Sequence, residues 1–297
     1  MKINEMRPLE HNYSKVLKAL ALIPEMLYFY GKIPEKRLKS VAIVGSRKNT
    51  SYGKEVAYRA AYEAAKAGAV VVSGLAYGID SIAHRGALDA GGTTIAVLGT
   101  PIDQIYPSVH KGLAQEIVER GGAVISEYPA GTTPKSGTEM KLRFLERNRI
   151  IAGLSDVVLV AEAAARSGTL NTAMHALDTG KDLMAVPADI TRVNSAGCNK
   201  LISQGAIPYT EISDLLNLLF PERQTKRRSK ERVSEQLSLF AETPVEAKVL
   251  GQILAGIRDG EEIISASQVS AAEFSQAITM LEIKGAVKSL GANRWGV

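Results

Sequence analysis

The stretch "VAIVGSRKNTSYG", residues 41–53, decides the fold. Four apolar residues run into Gly45 and are followed at once by Ser46, Arg47 and a segment that starts a helix. A strand that closes on Gly-Ser ahead of a helix offers backbone N–H groups and a helix N-terminus to an anion, and glycine removes the side chain that would block its approach. Neither common nucleotide loop is present. No Gly-Lys pair precedes Ser or Thr, as a Walker loop requires, and no strand end has the G-x-G-x-x-G dinucleotide spacing. The stretch is built for phosphate without the marks of a mononucleotide site.

The same pattern repeats along the chain. Apolar, β-rich runs at 41–45, 69–73, 94–99, 123–127, 156–162 and 182–187 are expected strands, and helical periodicity fills 53–67, 79–90, 108–120 and 168–179 between them. Strands that are apolar throughout and separated by helices make a parallel sheet covered on both faces. The expectation is a doubly wound, Rossmann-like α/β domain over residues 40–220, preceded by a lead-in at 1–39. Segment 221–245 opens with proline and charge and has no sustained period, which makes it a basic flexible linker. Residues 246–297 give a helix, a helix-turn-helix with Ser267 and Ser270 as N-caps, and a short β-ending, the order of a small winged-helix domain.

With 297 residues, 45% of them hydrophobic, the chain can bury a large core and a second, smaller one. Its single cysteine, Cys198, excludes an internal disulfide framework and has no metal-type neighbours, so a reducing cytoplasm fits and no metal or other cofactor is expected. The N-terminal apolar stretch is interrupted by Lys18, Pro24 and Glu25, which excludes a signal peptide or a membrane span. Of the net charge of +5, the segment "RQTKRRSKER" (223–232) contributes six basic residues against one acidic, so the linker is the cationic element.

In a parallel sheet with helical crossovers, the strand-to-helix turns share one edge, where ligands bind. The residues at those turns are Gly45, Ser46 and Arg47; Ser73, Gly74 and Gly78; Gly99 and Thr100; Glu127; and Glu162 with "RSGT", Arg166 to Thr169. Arg47 and Arg166 can grip phosphate oxygens with a guanidinium fork. Aromatics are only 5% of the chain, yet Tyr52, Tyr77, Tyr106, Tyr128 and Phe144 fall in or beside these turns. Stacking faces next to phosphate-binding turns are what single-stranded nucleic acid needs, although such residues also serve as loop anchors. Catalytic signatures are missing: the four histidines are dispersed, with no HExxH and no G-x-S-x-G turn.

The runs "VAIVGSR" (41–47), "VVSGLAYGIDSIAHRGAL" (71–88), "TIAVLGTPIDQIYP" (94–107), "RNRIIAGLS" (147–155), "VAEAAARSGTLNTA" (160–173) and "GCNKLISQGA" (197–206) together resemble the DprA (Smf) DNA-processing family. The resemblance implies a homodimeric, non-enzymatic protein that binds single-stranded DNA, protects it and loads a RecA-type recombinase in natural transformation. Carried over by position, the DNA pocket comprises Gly45, Ser46, Arg47, Phe144, Arg147, Asn148, Arg149, Arg166, Ser167, Gly168 and Thr169. Ser73 and Gly74 join from the second turn, and Asn199 and Lys200 sit at the far side. The chain departs from the family pattern at Tyr77, Leu145 and Ala188, and extra residues lengthen segment 134–146. The short lead-in implies a core without the helical domain that precedes it in many members.

Two features lie outside this core. Segment 236–240, with Gln236, Leu237, Leu239 and Phe240, resembles the peptide by which replication and repair proteins dock on a sliding clamp; the alternative is that its apolar residues pack under the winged helix. The second helix of the winged-helix-turn region carries Lys284 against Glu273 and Glu282, which favours a protein contact over duplex reading. The rival from another class is an enzyme or nucleotide sensor resembling nucleoside-monophosphate phosphoribohydrolases, with "SGT" cradling one phosphate and Glu162 or Glu127 assisting glycosidic cleavage.

Overall fold

Strand β3 (Ser40–Gly45) is the axis of the molecule: Val41, Ala42 and Ile43 are fully buried and Val44 is nearly so, because helices cover both faces of the sheet around it. In the computed structural model, which describes residues 2–222, 237 and 239–297, the chain divides into two compact units, Met1–Pro221 and Glu222–Val297. The first is the doubly wound α/β domain expected from the sequence. Parallel strands β4 (Val70–Ser73), β5 (Thr94–Leu98) and β6 (Ala123–Ser126) lie to one side of β3, and β7 (Val157–Glu162), β8 (Asp182–Ala185) and β9 (Ile207–Pro208) to the other. The winding direction reverses between β3 and β7. That reversal leaves a crevice beyond their carboxyl ends, where connections run apart in opposite directions.

On one face, helix α1 (Ser51–Lys66) presents Ala57, Ala60, Ala61, Ala64 and Ala65 to the sheet and to α2 (Ile79–Asp89). The contact is close: a Cβ on Gly86 would lie 2.6 Å from the Tyr58 carbonyl oxygen and 3.1 Å from the Ala61 methyl. The alanine run is therefore the shape of this interface rather than a propensity effect alone. Helix α7 (Ile212–Leu219) shares the face, and α4 (Gly137–Leu154), α5 (Thr169–Asp178) and α6 (Ala196–Ser203) belong to the opposite one. Helix α3 (Lys111–Glu119) packs beside β5 and β6.

The lead-in belongs to the same unit. Strand β2 (Leu27–Gly31) pairs antiparallel with β6, and β1 (Asn4–Met6) pairs antiparallel with β2, so a mostly parallel sheet ends in an antiparallel edge. Tyr13 is completely buried, with its hydroxyl 2.9 Å from Ser40 Oγ and the Arg37 guanidinium over its ring. Burial pushes that phenol up to about 12. Arg37 also pairs with Asp156 at 2.9 Å, which fastens the lead-in to the amino ends of β3 and β7.

The second unit packs α8 (Pro244–Leu254), α9 (Gly260–Ser267) and α10 (Ala271–Ile283) around Val249, Leu250, Ile253, Ile263, Phe274, Ala277, Ile278 and Leu281, with a β10 (Lys288–Gly291) to β11 (Arg294–Gly296) hairpin as the wing. Ser270 caps α10 in a reciprocal box with Glu273, as its sequence spacing suggests. Ser267 does not begin a helix. It closes α9, and its hydroxyl donates back to the Ile263 carbonyl, while Asp259 is the cap that starts that helix.

Candidate nucleic-acid interface

The crevice at the β3/β7 reversal is a groove of about 860 Å³. Three segments distant in sequence line it: Gly45, Ser46, Arg47 and Lys48 after β3; Lys141, Phe144, Arg147 and Asn148 on α4; and Arg166, Ser167, Gly168 and Thr169 at the start of α5. A helix makes α4 a wall by its period, since residues spaced three and four apart (137, 140–141, 144, 147–148, 151) fall on one stripe. Its second half, residues 147–154, is buried against the sheet; its first half, supplied by the lengthened segment 134–146 and started by the Ser136 cap on Glu139 N–H, stays open to solvent.

The cations of the groove fall into two kinds. Arg47, Lys48, Lys141 and Arg166 are exposed, and among the described residues none has a carboxylate partner. Arg147 is 4% exposed and donates to the Gly74 carbonyl at 2.8 Å and to the Val97 carbonyl. Burial pushes its guanidinium down to about 10, against the opposing pull of Asp80, and Arg47 adds to the fall. Asp80, buried beside it, accepts from Gly74 N–H, and burial raises its carboxyl in spite of Arg147. Arg147 is thus the floor that ties β4, β5 and α4 together, and the exposed cations are the rim.

The aromatic residues divide similarly. Phe144 lies in the groove with Arg47 5.7 Å over its ring and Tyr106 5.5 Å away. Tyr77, beside His110, lines a small recess next to Arg47. Tyr128 is tied to Glu146 and covered by Arg143, and Tyr52 donates to the Pro187 carbonyl, so these two anchor loops.

Several residues read as DNA contacts stand elsewhere. Arg149 is turned away because two residues along a helix rotate a side chain by about 200°; it pairs with Glu127 at 2.6 Å and donates to the Leu22 carbonyl. Ser73 is fully buried and donates to the Ile43 carbonyl, and a Cβ on Gly74 would strike the Arg147 guanidinium. Asn199 is bound on both amide atoms to the Ala188 backbone, and Lys200 is exposed on α6, off the groove. Gly45 and Gly168 also differ. A Cβ on Gly45 would sit 2.6 Å from Ile79, so packing demands glycine there; at Gly168 nothing lies within 4 Å, and the backbone is open to a ligand. Lys48 and Lys141 were missed in the sequence, whereas Tyr106 was read there as an aromatic beside the turns. The legible signal was the α4 stripe, on which Lys141 stands three residues before Phe144.

Neither strand-end carboxylate is placed as a free acid–base. Glu127 forms the Arg149 fork, and Glu162 accepts from Thr50 N–H and, at 2.6 Å, from its hydroxyl, holding the loop after β3. His84 is buried; burial pushes its imidazole down to about 3, and its Nδ1 meets a Thr94 hydroxyl already spent on the Val71 carbonyl. Among the described residues no three His, Cys, Asp or Glu side chains converge, and no helix is long and apolar enough to cross a membrane.

A doubly wound α/β domain with a cationic groove at its switch point, followed by a winged-helix unit, defines a protein of Rossmann-like architecture whose groove is chemically suited to an anion. Residues 5–220 match the family model of DNA recombination-mediator protein A, and residues 233–293 match that of the DprA winged helix domain. The chain belongs to the DNA recombination-mediator protein A family. It is 41% identical to Protein Smf of Escherichia coli K12 over 70% of this chain and 54% of that one. It is also 41% identical to DNA processing protein DprA of Streptococcus pneumoniae R6 over 65% of this chain and 66% of that one. The chain therefore spans about half the length of the Escherichia coli relative. Among solved structures, DprA from Streptococcus pneumoniae superposes with a TM-score of 0.65 at 38% identity, covering 73% of this chain and 74% of that one. DNA processing protein A from Helicobacter pylori, described by its single-stranded DNA binding mode, gives 0.64 at 32%, covering 75% and 97%.

Proposed function

We propose that this chain binds single-stranded DNA through the β3/β7 groove, without catalysis, and works in the cytoplasm as a homodimer that protects the strand and passes it to a RecA-type recombinase during natural transformation. The observation that carries the binding step is the set of four exposed cations, Arg47, Lys48, Lys141 and Arg166, none in an ion pair among the described residues, around a groove that also holds Phe144. Unpaired cations neutralise phosphates and release counterions, Phe144 gives a base a face, and neither requires a sequence. The Helicobacter pylori relative, whose structure addresses its single-stranded DNA binding mode, supports the same ligand. The recombinase and the dimer rest on the family alone.

The hydrolase reading loses support because Glu127 and Glu162 are engaged in structural contacts. Docking of segment 236–240 on a sliding clamp is harder to place. Leu237 and Phe240 pack against the winged-helix core, Leu239 is 69% exposed, and Gln236 lies outside the described residues. Docking would have to pull Phe240 from that core, so Leu239→Ala is the clean probe: co-elution with the clamp should fall while the unit stays folded.

The test of the main reading is fluorescence anisotropy of a labelled thymine oligonucleotide and its duplex, for wild type and Arg47→Ala, across a salt series. Preference for the single strand, weakened about tenfold in the variant, is the expected result. Equal binding of both forms, or no effect of Arg47→Ala, would refute the groove as the site.

A further inference from the structure

A second cavity opens on the other side of the loop that follows β3. It measures about 380 Å³, within the range of small-ligand sites, and is bounded by Thr50, Tyr52, the end of β7 and residues 186–198. Its floor is apolar, from Ala161, Val186 and Cys198. Two polar groups stand in its wall with unused capacity. Glu162 is 5% exposed and has no cationic partner among the described residues; Oε1 accepts only the Thr50 N–H, at 3.2 Å, which leaves lone pairs free. Ser195 is also 5% exposed, and among the described residues its hydroxyl makes no hydrogen bond. The Tyr52 ring, 45% exposed, stands at the mouth. Asn194 lines both this cavity and the cationic groove, and its amide donates to the Lys48 carbonyl, so one thin wall separates the two.

We infer that this cavity is a nucleobase pocket, selective for a base whose edge carries N–H donors and best suited to guanine. It would take either a base splayed from a strand in the neighbouring groove or the base of a free nucleotide. A buried carboxylate is an acceptor only. Guanine presents N1–H and N2–H side by side, so its edge brings two donors to the one oxygen, Oε1, that keeps lone pairs free; Oε2 already accepts the Thr50 N–H and hydroxyl. Adenine and cytosine offer one amino group. Thymine offers a single N–H flanked by two carbonyls, which a carboxylate repels. The apolar floor takes the ring, Tyr52 covers its outer face, and the Ser195 hydroxyl pairs with a ring acceptor. Asn199, bound to the Ala188 backbone, has its place here: it fixes the loop that forms the cavity's far wall.

The strand-borne form of the inference rests on the proposed single-strand binding, so the experiment separates the two. Wild-type protein is mixed with a thymine oligonucleotide, with the same strand carrying one central guanine, and with guanosine monophosphate alone. The guanine strand should bind about tenfold tighter than the thymine strand, the worth of one specific base-edge contact. A photoreactive 6-thioguanine in the same position should cross-link within residues 186–198. Guanosine monophosphate that blocks the cross-link identifies a pocket open to free nucleotides; failure to block it identifies one that takes strand-borne bases. Ser195→Val, which narrows the cavity away from the groove, should lose the guanine preference and keep the thymine-strand affinity, and Glu162→Gln should lose the preference as well. Cross-links confined to Phe144 or residues 166–169, equal affinity for both strands, or release of free guanine would each overturn the pocket. Loss of thymine-strand binding with the nucleotide still bound would overturn the groove and leave the pocket standing.

Discussion

In the groove of the first unit, Arg47, Lys48, Lys141 and Arg166 face solvent and none is in an ion pair among the described residues, Asp80 acting on Arg47 only from a distance, whereas in the winged-helix unit the lysine that closes α10 is fully engaged. Lys284 Nζ donates to Glu246 at 2.8 Å and to the Phe240 carbonyl at 3.2 Å, with Glu242 3.4 Å away. That unit also exposes the apolar Met280, Ile283 and Leu290, and away from α10 it exposes Lys248, Lys288 and Arg294 without an ion pair among the described residues. A cation spent on a carboxylate holds a fold together. One left over is available to a phosphate, and its counterions are released when the phosphate arrives. The difference is the ground for proposing polyanion binding at the groove and for expecting no duplex reading by α10.

The sharpest break of this comparison is inside the groove, where one arginine belongs to the structural kind. Arg147→Met would leave the Gly74 and Val97 carbonyls without their donor and Asp80 without its nearby cation. The expected loss is about 3 kcal/mol of stability, read from the denaturant midpoint of the α/β unit. An unchanged midpoint would mean that Arg147 is free to leave the floor and belongs with the rim.

The next effect is on binding. Arg166→Ala combined with Lys141→Ala removes two rim charges, so the slope of log affinity against log salt for a single strand should become shallower by about 1.4, at roughly 0.7 per phosphate. Stability should hardly move, since neither side chain has a hydrogen-bond or ion-pair partner among the described residues. Arg149→Ala is the converse: it breaks the Glu127 fork and should lower stability while leaving the slope alone. A changed slope in Arg149→Ala would return that residue to the DNA.

How much of this was legible in the sequence depends on the range of the forces involved. The parallel strands β3 to β8 were, because burial on both faces writes an unbroken apolar run such as Val41–Val44, whereas the two-residue, exposed β9 was not. Strand β2, "LYFYG", was not; it lies near an antiparallel edge, half its residues are only partly buried, and the pairing with β6 is decided by a partner almost a hundred residues away. The groove's turns were readable from Gly-Ser-Arg and Arg-Ser-Gly-Thr, since strand ends share an edge. Which arginine of "RNR" faces that edge was not, because helix α4 begins inside a lengthened segment whose phase the sequence did not reveal. Glycine was ambiguous in the same way: Gly45 and Gly168 look alike in a string, and only the neighbour at Ile79 separates them.

A smaller effect concerns pH and the second unit. Burial pushes the Glu246 carboxyl up, but the hydrogen bond from Lys284 and the N–H donors of Glu242 and Thr243 outweigh it and hold it below the ordinary value of 4.5. A carboxyl lowered on folding stabilises fully above its unfolded pKa, and that contribution is lost as pH falls through the lower folded value. The winged-helix unit should therefore begin to lose stability below about pH 4.5, monitored through the fluorescence of Trp295, its only tryptophan. In Lys284→Met the lysine's share of that lowering is gone, so the same loss should shrink and the unit be less stable at neutral pH.

The smallest expected effect is the most discriminating for the comparison itself. Lys284→Met removes a positive charge, as Arg47→Ala does, and simple counting of net charge gives the two the same consequence for a polyanion. The pairing in the structure gives different ones. Around Lys284 the two glutamates already supply more negative charge than the lysine does positive, so a phosphate meets no available cation there. Single-strand affinity should stay within about twofold of wild type at every salt concentration, with the salt slope unchanged. A slope reduced as much as in Arg47→Ala would show that this lysine reaches the strand when DNA is bound, and that the winged helix shares in the grip.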